Sequence, residues 1–280
     1  MHWIKKTVHK FPVLYGIVKL LNSIKNKLFR LLNSLGNNKQ CYICKKSFSR
    51  FKKYRGGSGN SSQFCKNINI IGTDPDNFGC PFCFCTDRDR HFFAYFDKLN
   101  LWPNNESRIL HFAPEIQLYK KIESCNPLEY IKADWTPESY INRGIKDVKK
   151  INLMEIPFEN NHFDIVICNH VLEHVPNLQK GLAEIYRVLK IGGFAILQTP
   201  VSQLLHKNFE DPGITTDTQK IYFYGQNDHV RIISKNQFFE DLENQGFKLA
   251  IVPHEDLFDN DFAKIHGVNA KEDLIRVIKL

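Results

Sequence analysis

The first 73 residues of this 280-residue chain contain no aspartate and no glutamate. They carry 15 lysines and arginines, whereas residues 74–280 carry 23 basic and 30 acidic residues, so a front end of +15 precedes a body of −7. Such a front end favours nucleic acid, an anionic membrane surface or an acidic substrate as partner. A solvated extension would have the same composition, so this alternative stays open.

Long apolar runs are also missing. No stretch approaches the roughly 18 consecutive apolar residues of a membrane span, which excludes a polytopic membrane protein. No convincing small-residue cleavage site follows the first apolar segment, so a secretory signal peptide is not predicted. The composition, 42% hydrophobic and 24% charged, is that of a globular protein.

The basic front end begins with a predicted amphipathic helix over residues 3–35. Apolar residues recur there at three- and four-residue steps, with lysines and Arg30 on the other faces. Pro12 is expected to kink this helix or to start its main part. The apolar face of residues 1–36 could lie on an anionic membrane, or it could pack on the body or on a partner. Residues 36–62 are rich in glycine and serine and are predicted to form a loop.

Six of the eight cysteines fall between residues 41 and 85. Cys41-Tyr-Ile-Cys44 and Cys80-Pro-Phe-Cys83 are two C-x-x-C pairs, and two such pairs complete a closed tetrahedral four-sulfur site. We therefore predict a structural zinc ion bound by Cys41, Cys44, Cys80 and Cys83. Cys65 and Cys85 are spare thiols, either of which could replace a ligand. The close pairs indicate a reducing compartment, so the expected location is cytoplasmic, including the inner face of a membrane.

From residue 107 onward, short apolar runs alternate with amphipathic segments. Strands are predicted at Arg108–Phe112, Tyr130–Ala133, Lys149–Asn152, Phe163–Cys168, Phe194–Gln198 and Phe247–Val252. Helices are predicted at Arg88–Leu99, Ile116–Glu123, Leu178–Leu189 and Lys235–Gln245, and Gly192-Gly193 is expected to end the third of these. Repeated β-α units indicate a doubly wound parallel sheet with helices on both faces. The predicted division is a helical segment at 1–38, a zinc module at 39–100 and an α/β domain at 101–280.

The run Asp164-Ile-Val-Ile-Cys-Asn-His-Val-Leu-Glu-His-Val175 and the segment Leu182–Gly193 resemble class I S-adenosylmethionine-dependent methyltransferases. The likeness covers roughly residues 105–255. The chain most resembles a subgroup of this family whose members begin with a cysteine module. The motifs that carry this resemblance are the Leu-His-Phe-Ala-Pro-Glu loop and the segment Tyr224–Arg231. The resemblance implies a Rossmann-like doubly wound sheet of seven strands and S-adenosylmethionine as the cofactor.

In such a sheet the cofactor lies at the carboxyl ends of the central strands. The resemblance places the methionine part at the first loop, the ribose hydroxyls at Asp134, adenine after the third strand and the reactive methyl near Asn169 and His170. The residues implied to bind the cofactor are His111, Phe112, Ala113, Pro114, Glu115, Asp134, Asn152, Leu153 and Asn169. The first loop departs from the usual pattern because it lacks glycine. Glu115 would then bind the cofactor's ammonium group.

Two histidine motifs are candidates for catalysis. His170-x-x-Glu173-His174 also resembles an inverted zinc-protease motif, but its surroundings are those of a methyltransferase. In Asp228-His229-Val-Arg231, His229 could act as general base and Arg231 could clamp an anion. The structural alternative is an ion pair between Asp228 and Arg231. This pair would fix a lid formed by residues 207–220. The expected catalytic residues are His170, His229 and Arg231.

Three functions remain open from the sequence. The first is a methyltransferase acting on a small molecule or a cell-envelope saccharide near a membrane, as the basic helix indicates. The second is an RNA methyltransferase that uses residues 45–55, where basic and aromatic side chains interleave. The third is a non-catalytic zinc protein on a degenerate methyltransferase fold, which the missing glycines suggest. The sequence gives no indication of the oligomeric state.

Overall fold

A seven-stranded mixed sheet forms the centre of the protein in the computed structural model, which describes residues 12–141 and 143–280. Its strands are β4 (Arg108–Phe112), β5 (Glu129–Asp134), β6 (Val148–Lys150), β7 (Phe163–Cys168), β8 (Leu189–Ile196), β11 (Phe247–Leu249) and β12 (Arg276–Lys279). The strand order is β11-β12-β8-β7-β4-β5-β6. Strands β6, β5, β4, β7 and β8 run parallel, whereas β12 is antiparallel to both of its neighbours.

This order is that of a Rossmann-like methyltransferase sheet, so the predicted fold class is confirmed. The chain runs outward from β4 to β6, returns to β7 and then runs outward in the other direction. The reversal lies between β4 and β7, and ligands of doubly wound sheets bind at such a switch point. The sequence FDIVIC of β7 is almost continuously apolar because helices cover both faces of the sheet.

Helices flank the sheet, and several begin at a residue whose side chain caps the first turn. They are α3 (Asp87–Leu99), α4 (Ile116–Ser124), α5 (Glu138–Ile141), α6 (Leu178–Val188), α7 (Asp217–Tyr224), α8 (Lys235–Asn244) and α9 (Asn260–His266). Thr86 and Asp89 form a capping box at the start of α3, and Asn177 caps α6. The boundaries predicted for α3, α4, α6 and α8 agree within one residue, whereas α5, α7 and α9 were not predicted.

The role predicted for Gly192-Gly193 is wrong. Helix α6 ends at Val188, and Leu189 already begins β8, so the two glycines lie inside the strand. Gly192 has a φ of 77°, a left-handed conformation that favours glycine. A Cβ on Gly193 would lie 2.8 Å from the carbonyl oxygen of Asp164 in β7. The glycines therefore permit close strand approach rather than ending a helix.

The cysteine module is connected to the body by strand pairing and by the buried side chain of Arg90. It contains the hairpin β1 (Lys39–Gln40) and β2 (Ser47–Phe48), the helix α2 (Gln63–Asn67) and the strand β3 (Ile70–Ile71). Strand β3 pairs with β9 (Val201–Ser202), which in turn pairs with β10 (Ile233–Ser234). Arg90 of α3 is fully buried and donates to carbonyl oxygens of Asn77, Phe78, Cys85, His266 and Gly267.

Helix α1 (Pro12–Asn33) lies against the cysteine module along one side. Arg30 donates to the carbonyl oxygens of Pro81 and Phe82 at 3.2 and 3.4 Å, and Lys52 donates to Asn26. The described part of the helix begins at Pro12, and residues 3–11 of the predicted helix lie outside the described residues. Within the described residues, no helix combines the length and apolar character that crossing a membrane requires.

Candidate active site

The first loop after β4 forms a buried polar network at the switch point. Nε2 of His111 donates to Oε2 of Glu115 at 2.9 Å, and Nδ1 of His111 lies 2.8 Å from the hydroxyl of Tyr130. Nδ2 of Asn169, just after β7, donates to Oε1 of Glu115 at 3.2 Å. Burial would raise the pKa of Glu115, but its hydrogen bond with His111 and the charge of that ring lower it overall. A carboxylate is thus held between the ends of β4 and β7.

Two features of this network fit a ligand. Oδ1 of Asn169 is buried and has no hydrogen-bond partner among the described residues. Ala113 has a φ of 49°, a left-handed conformation at the position where glycine was expected. Ala113 thus adopts a backbone conformation that glycine usually provides, at a conformational cost of about 1 kcal/mol or more. Strain of this kind is typical of binding loops.

Asp134 ends β5 and remains partly accessible. Its Oδ1 accepts from the amide and hydroxyl of Thr136 at 2.7 and 3.1 Å, and its Oδ2 accepts from the hydroxyl of Tyr140 at 2.8 Å. A carboxylate offers about four lone-pair sites, so Asp134 can still accept a further hydrogen bond. Burial, followed by the charge of Asp134, raises the pKa of Tyr140.

The remaining predicted cofactor residues are mostly inaccessible through their side chains. Phe112 and Leu153 belong to the main hydrophobic core. Pro114 is buried beside the half-buried Ala113. Oδ1 of Asn152 accepts from the amide of Met154 at 3.0 Å and so shapes the turn after β6. These residues can meet a ligand mainly through their backbone.

A second polar cluster surrounds Glu173, whose side chain is 3% exposed. Its Oε1 lies 3.6 Å from Nδ1 of His170, 3.9 Å from Nε2 of His174 and 4.0 Å from Nε2 of His229. Its Oε2 accepts from the hydroxyl of Thr199, which follows β8, at 3.0 Å. Burial would raise the pKa of Glu173, but the adjacent His170 ring and the charges of the three histidines lower it to about 2. A carboxylate charge is therefore stabilised next to the ends of β7 and β8.

The structure places the candidate residues His170 and His229 on the same carboxylate, that of Glu173. His170 has a φ of 52°, and its Nε2 is buried with no partner within the described chain. The amide of Val230 donates to the carbonyl oxygen of Glu173 at 3.0 Å, which ties the two segments together. Burial lowers the pKa of His229 below its usual value, which favours the neutral imidazole. The sequence motif did contain Glu173, but only as the base of a rejected protease pattern.

The guanidinium of Arg231 uses its hydrogen-bond donors on other groups of the protein. Its guanidinium is buried and donates to the carbonyl oxygens of Leu172, Val175 and Pro176 and to both carboxylate oxygens of Glu210. The expected ion pair with Asp228 is wrong, because Asp228 lies beside His174, with 3.9 Å between Oδ2 and Nδ1. This arrangement makes Arg231 a positioning residue for the turn that carries Glu173.

Five thiols gather in the cysteine module. The Sγ atoms of Cys41, Cys80, Cys83 and Cys85 all lie within 4.8 Å of one another. Sγ of Cys44 is 3.8 Å from that of Cys80 and lies outside this group of four. Cys65 lies elsewhere, with its Sγ 3.6 Å from the carbonyl oxygen of Tyr222. The predicted ligand set of the two pairs therefore stays a prediction, with Cys85 as an additional candidate.

The module also reaches the first loop, and two of its aromatic residues face inward. Nε2 of Gln117 donates to the carbonyl oxygen of Cys83 at 2.8 Å, which connects α4 to the cysteines. Phe48 and Phe51, two aromatic residues of the basic segment 45–55, are 0% and 2% exposed. They pack against the cysteines, so they cannot stack on nucleic-acid bases.

Comparison with known proteins agrees with the sheet order. Residues 125–197 match the Methyltransf_11 family model, described as a methyltransferase domain. This segment contains β5, β6, β7, α6 and β8, and with them Asp134, Asn169 and Glu173. The matched segment therefore lies in the part of the sheet where the polar networks are found.

Two curated relatives illustrate the range of matches. The sterol 24-C-methyltransferase of Saccharomyces cerevisiae is 30% identical over 138 residues, which cover 49% of this chain and 34% of the relative. The demethylmenaquinone methyltransferase of Lactobacillus johnsonii is 34% identical over 119 residues, covering 38% and 48%. This chain thus spans less than half of the length of each relative.

One solved structure is an S-adenosylmethionine-dependent methyltransferase from Mesorhizobium loti. It is 11% identical and superposes with a TM-score of 0.49, covering 66% of this chain and 98% of that structure. At this level of similarity, the assignment of the fold rests on the strand order and directions described above.

Proposed function

We propose that this protein is an S-adenosylmethionine-dependent methyltransferase that acts on a small-molecule acceptor at an anionic membrane surface. The observation that carries the transferase assignment is the meeting of the Glu115–Asn169 pair and Asp134 at one edge of a methyltransferase-type sheet. The family match over residues 125–197 supports the same assignment.

The residues at this edge suit the parts of the proposed cofactor. Glu115 and the unpartnered Oδ1 of Asn169 are acceptors for the ammonium group of the methionine part. Asp134 has acceptor capacity left for the ribose hydroxyls. The backbone at Asn152 and Leu153 lies where adenine is expected. The missing glycines are thus offset by the left-handed Ala113, which supports a binding site over a degenerate one.

The bound cofactor would supply a methyl group activated by a sulfonium sulfur. The protein then mainly aligns the acceptor and excludes water. His170 and His229 lie next to Glu173 with buried Nε2 atoms, so they are proposed to face the acceptor side. Arg231 holds the turn of Glu173 rather than an anion of the acceptor, since its donors are committed.

The acceptor class is proposed to be a membrane-associated small molecule, with a cell-envelope saccharide as one form. The names of the two relatives refer to a sterol and to a menaquinone precursor, both apolar molecules. RNA is not favoured, because Phe48 and Phe51 are buried. The structural evidence for a membrane surface comes from α1.

The outward side of α1 carries an apolar stripe that the body does not cover. Its members are 52% to 95% exposed and are Leu20, Leu21, Ile24, Leu28, Leu31, Leu32 and, just beyond the helix, Leu35. At about 100° per residue they fall within an arc of about 120°. Lys25 and Lys27 are exposed near the two borders of this arc. Basic residues beside an apolar face suit an anionic lipid surface. Because these apolar side chains are exposed, the alternative that this face packs on the body is not observed.

Co-sedimentation with lipid vesicles tests this surface. We expect the full-length protein to bind vesicles containing phosphatidylglycerol and to bind pure phosphatidylcholine vesicles far less. The double variant Leu28→Ser/Leu31→Ser should lose most of this binding, because each leucine contributes about 1.5–3 kcal/mol when fully buried. The matched variant Leu128→Ser/Leu280→Ser removes two exposed leucines elsewhere and should bind as the wild type does.

Equal binding by both double variants would contradict the membrane proposal. If Leu28→Ser/Leu31→Ser instead converts a dimer to a monomer in sedimentation velocity, a second copy of the chain covers the stripe. Sedimentation velocity without vesicles therefore accompanies the assay.

Calorimetric titration with S-adenosylmethionine and S-adenosylhomocysteine tests the cofactor site. We expect micromolar binding that weakens at least about tenfold in Asp134→Ala, the equivalent of about 1.4 kcal/mol. Asp261→Ala, which removes an 80%-exposed carboxylate, should bind normally. An absence of binding by folded wild-type protein would favour the non-catalytic alternative.

A structural zinc ion in the cysteine module is part of the proposal. The predicted ligands are Cys41, Cys44, Cys80 and Cys83, and the geometry also supports Cys85 in place of Cys44. Nη1 of Arg90 lies 3.7 Å from Sγ of Cys85 and would stabilise a thiolate there. Metal analysis of Cys44→Ser and Cys85→Ser identifies the fourth ligand, because only the variant that lacks a true ligand should lose zinc affinity.

A further inference from the structure

We propose that Glu173, His174 and His229 form a second metal site, which binds a divalent first-row transition-metal ion. Oε1 of Glu173 and one ring nitrogen from each histidine lie within 4.8 Å of one another. This site is separate from the cysteines and combines one oxygen with two nitrogen ligands. Metal binding here does not depend on the proposed methyltransferase activity, although its use in the reaction does.

The hydrogen bonds of the two histidines prepare them for a metal. Nδ1 of His229 donates to the carbonyl oxygen of Tyr224 at 2.9 Å, and Nδ1 of His174 donates to that of Asp228 at 3.0 Å. A carbonyl oxygen only accepts, so each neutral ring carries its proton on Nδ1. Each Nε2 is then the unprotonated nitrogen, and it lies 3.9 Å (His174) or 4.0 Å (His229) from Oε1 of Glu173. Backbone acceptors of this kind commonly fix the tautomer of metal-binding histidines.

The unpartnered atoms of the cluster point to a missing ligand. Nε2 of His229 is buried and has no hydrogen-bond partner in the described part of the chain. Its distance of 4.0 Å from Oε1 of Glu173 is too long for a hydrogen bond. Oε2 of Glu173 is occupied by Thr199, which leaves Oε1 to face the histidines. A buried acceptor nitrogen opposite a carboxylate oxygen calls for a cation between them.

The dimensions of the cluster are close to those of a bound ion. Metal bonds of about 2.0–2.2 Å in tetrahedral geometry would place ligand atoms about 3.3–3.6 Å apart. The Oε1 atom of Glu173 lies 3.9 Å from His174 Nε2 and 4.0 Å from His229 Nε2. Both distances exceed the tetrahedral spacing by about half an ångström, and all three ligand atoms lie within 4.8 Å of one another. Rotation of His174, which is 32% exposed, can shorten its own distance to Glu173, whereas a small shift of the Glu173 carboxylate is needed to shorten the distance to His229.

The ligand set indicates the class of metal. Two imidazole nitrogens and one carboxylate suit zinc, iron(II), cobalt or manganese, whereas calcium and magnesium prefer oxygen ligands. Three protein ligands leave at least one position open, as in catalytic sites, in contrast to the closed four-thiolate site. The exposed side of His174 gives this open position access to solvent.

The open position offers a role in the proposed reaction. An acceptor hydroxyl bound there would release its proton to water more readily, because the ion stabilises the alkoxide. The alkoxide oxygen would then use a lone pair to form the bond to the methyl carbon, while the carbon–sulfur bond breaks and its electron pair stays on sulfur. The products are a methyl ether and S-adenosylhomocysteine.

Metal stoichiometry of the full-length protein tests the site. Protein equilibrated with zinc and freed of excess metal is analysed by inductively coupled plasma mass spectrometry. We expect two ions per chain for the wild type and one for His174→Gln and for His229→Gln. His206→Gln removes an exposed histidine outside the cluster and should keep two ions.

A cobalt titration distinguishes the two sites without any substitution. Cobalt bound to thiolates gives intense charge-transfer bands, whereas cobalt bound to nitrogen and oxygen gives only weak ligand-field bands. We expect a second equivalent that adds ligand-field absorption without further thiolate bands. A wild type that takes up one equivalent only, or histidine variants that keep the second, would overturn the proposal.

The two proposals fail separately. Normal binding of S-adenosylmethionine with only the thiolate-bound metal present would refute the second site and leave the methyltransferase function intact. Two metal equivalents without any binding of S-adenosylmethionine would support the site and refute the proposed function.

Discussion

The cysteine module and the Glu173 cluster both gather metal-ligating side chains, yet they do so in opposite ways. The thiols come from two short backbone turns, and four of them are packed within 4.8 Å around one point. The Glu173 cluster combines residues from two segments more than 50 positions apart. The first group offers four sulfur atoms, whereas the second offers two nitrogens and one oxygen and includes a side chain that is 32% exposed.

A buried arginine holds the backbone around each group by donating to its carbonyl oxygens. Arg90 donates to carbonyl oxygens around the cysteines, and Arg231 donates to those of Leu172, Val175 and Pro176. A guanidinium can satisfy several carbonyl oxygens of an irregular turn at once. Arg231 additionally pairs with Glu210, which is 46% exposed, whereas Arg90 stacks on the ring of Phe51 at 3.9 Å. The comparison predicts a structural role for the first site and a chemical role for the second.

The largest expected effect is the loss of the cysteine site. Cys80→Ser removes a thiol that belongs to both possible ligand sets. Structural zinc contributes about 10 kcal/mol or more to the folding of small zinc domains. We expect the variant to lose zinc and to unfold at a much lower temperature, as followed by circular dichroism. Cys125→Ser, at a thiol away from the cluster, is the matched control. A normal unfolding temperature for Cys80→Ser would show that the module does not need its metal.

Arg90→Met tests whether the buried cation fastens the module to the body. The substitution leaves carbonyl oxygens of Cys85, His266 and Gly267 without their donor, and we expect it to lower the free energy of unfolding by about 3 kcal/mol or more. Urea denaturation measures the change. Arg55→Met, at an exposed position, should cost less than about 0.5 kcal/mol. An equally small effect for Arg90→Met would contradict the assigned role.

Arg231→Lys should have an intermediate effect on the second site. Lysine keeps the charge but loses the planar fork that reaches both Glu210 and the carbonyl oxygens. We expect a loss of about 2 kcal/mol in the free energy of unfolding, together with weaker metal binding at His229. Zinc titration of the variant, compared with Arg55→Lys, measures the second effect. Unchanged zinc binding would separate Arg231 from the site.

Much of the fold was predictable because its signals are local. The apolar run of β7 and the spacing of α6 identify a buried strand and a helix without further information. The Gly192-Gly193 pair was misread, since the same residues can end a helix or allow close approach of strands. Which of the two occurs depends on β7, and this long-range partner is not visible in the local sequence.

The candidate site was predictable only in part, for the same reason. The C-x-x-C spacing indicates a cysteine site directly, but the approach of Cys85 depends on the turn after Cys83. His170 and His229 were selected by their motifs, whereas their meeting at Glu173 depends on the docking of Val230 on the Glu173 carbonyl. An ion pair between Asp228 and Arg231 was the structural alternative because the two residues are close in sequence. Burial of Arg231 against another segment decided otherwise.

The smallest expected effect concerns the orientation of the Glu173 carboxylate. Thr199→Val keeps the shape of the side chain but removes the hydroxyl that donates to Oε2 of Glu173 at 3.0 Å. The carboxylate can then turn, and loss of such an outer hydrogen bond typically weakens metal binding by about 10- to 100-fold. We expect this loss in the zinc titration, with a decrease of only about 1 kcal/mol in the free energy of unfolding. Thr215→Val, at an exposed threonine, is the control, and equal zinc affinity in both variants would mean that Glu173 is held by its histidines alone.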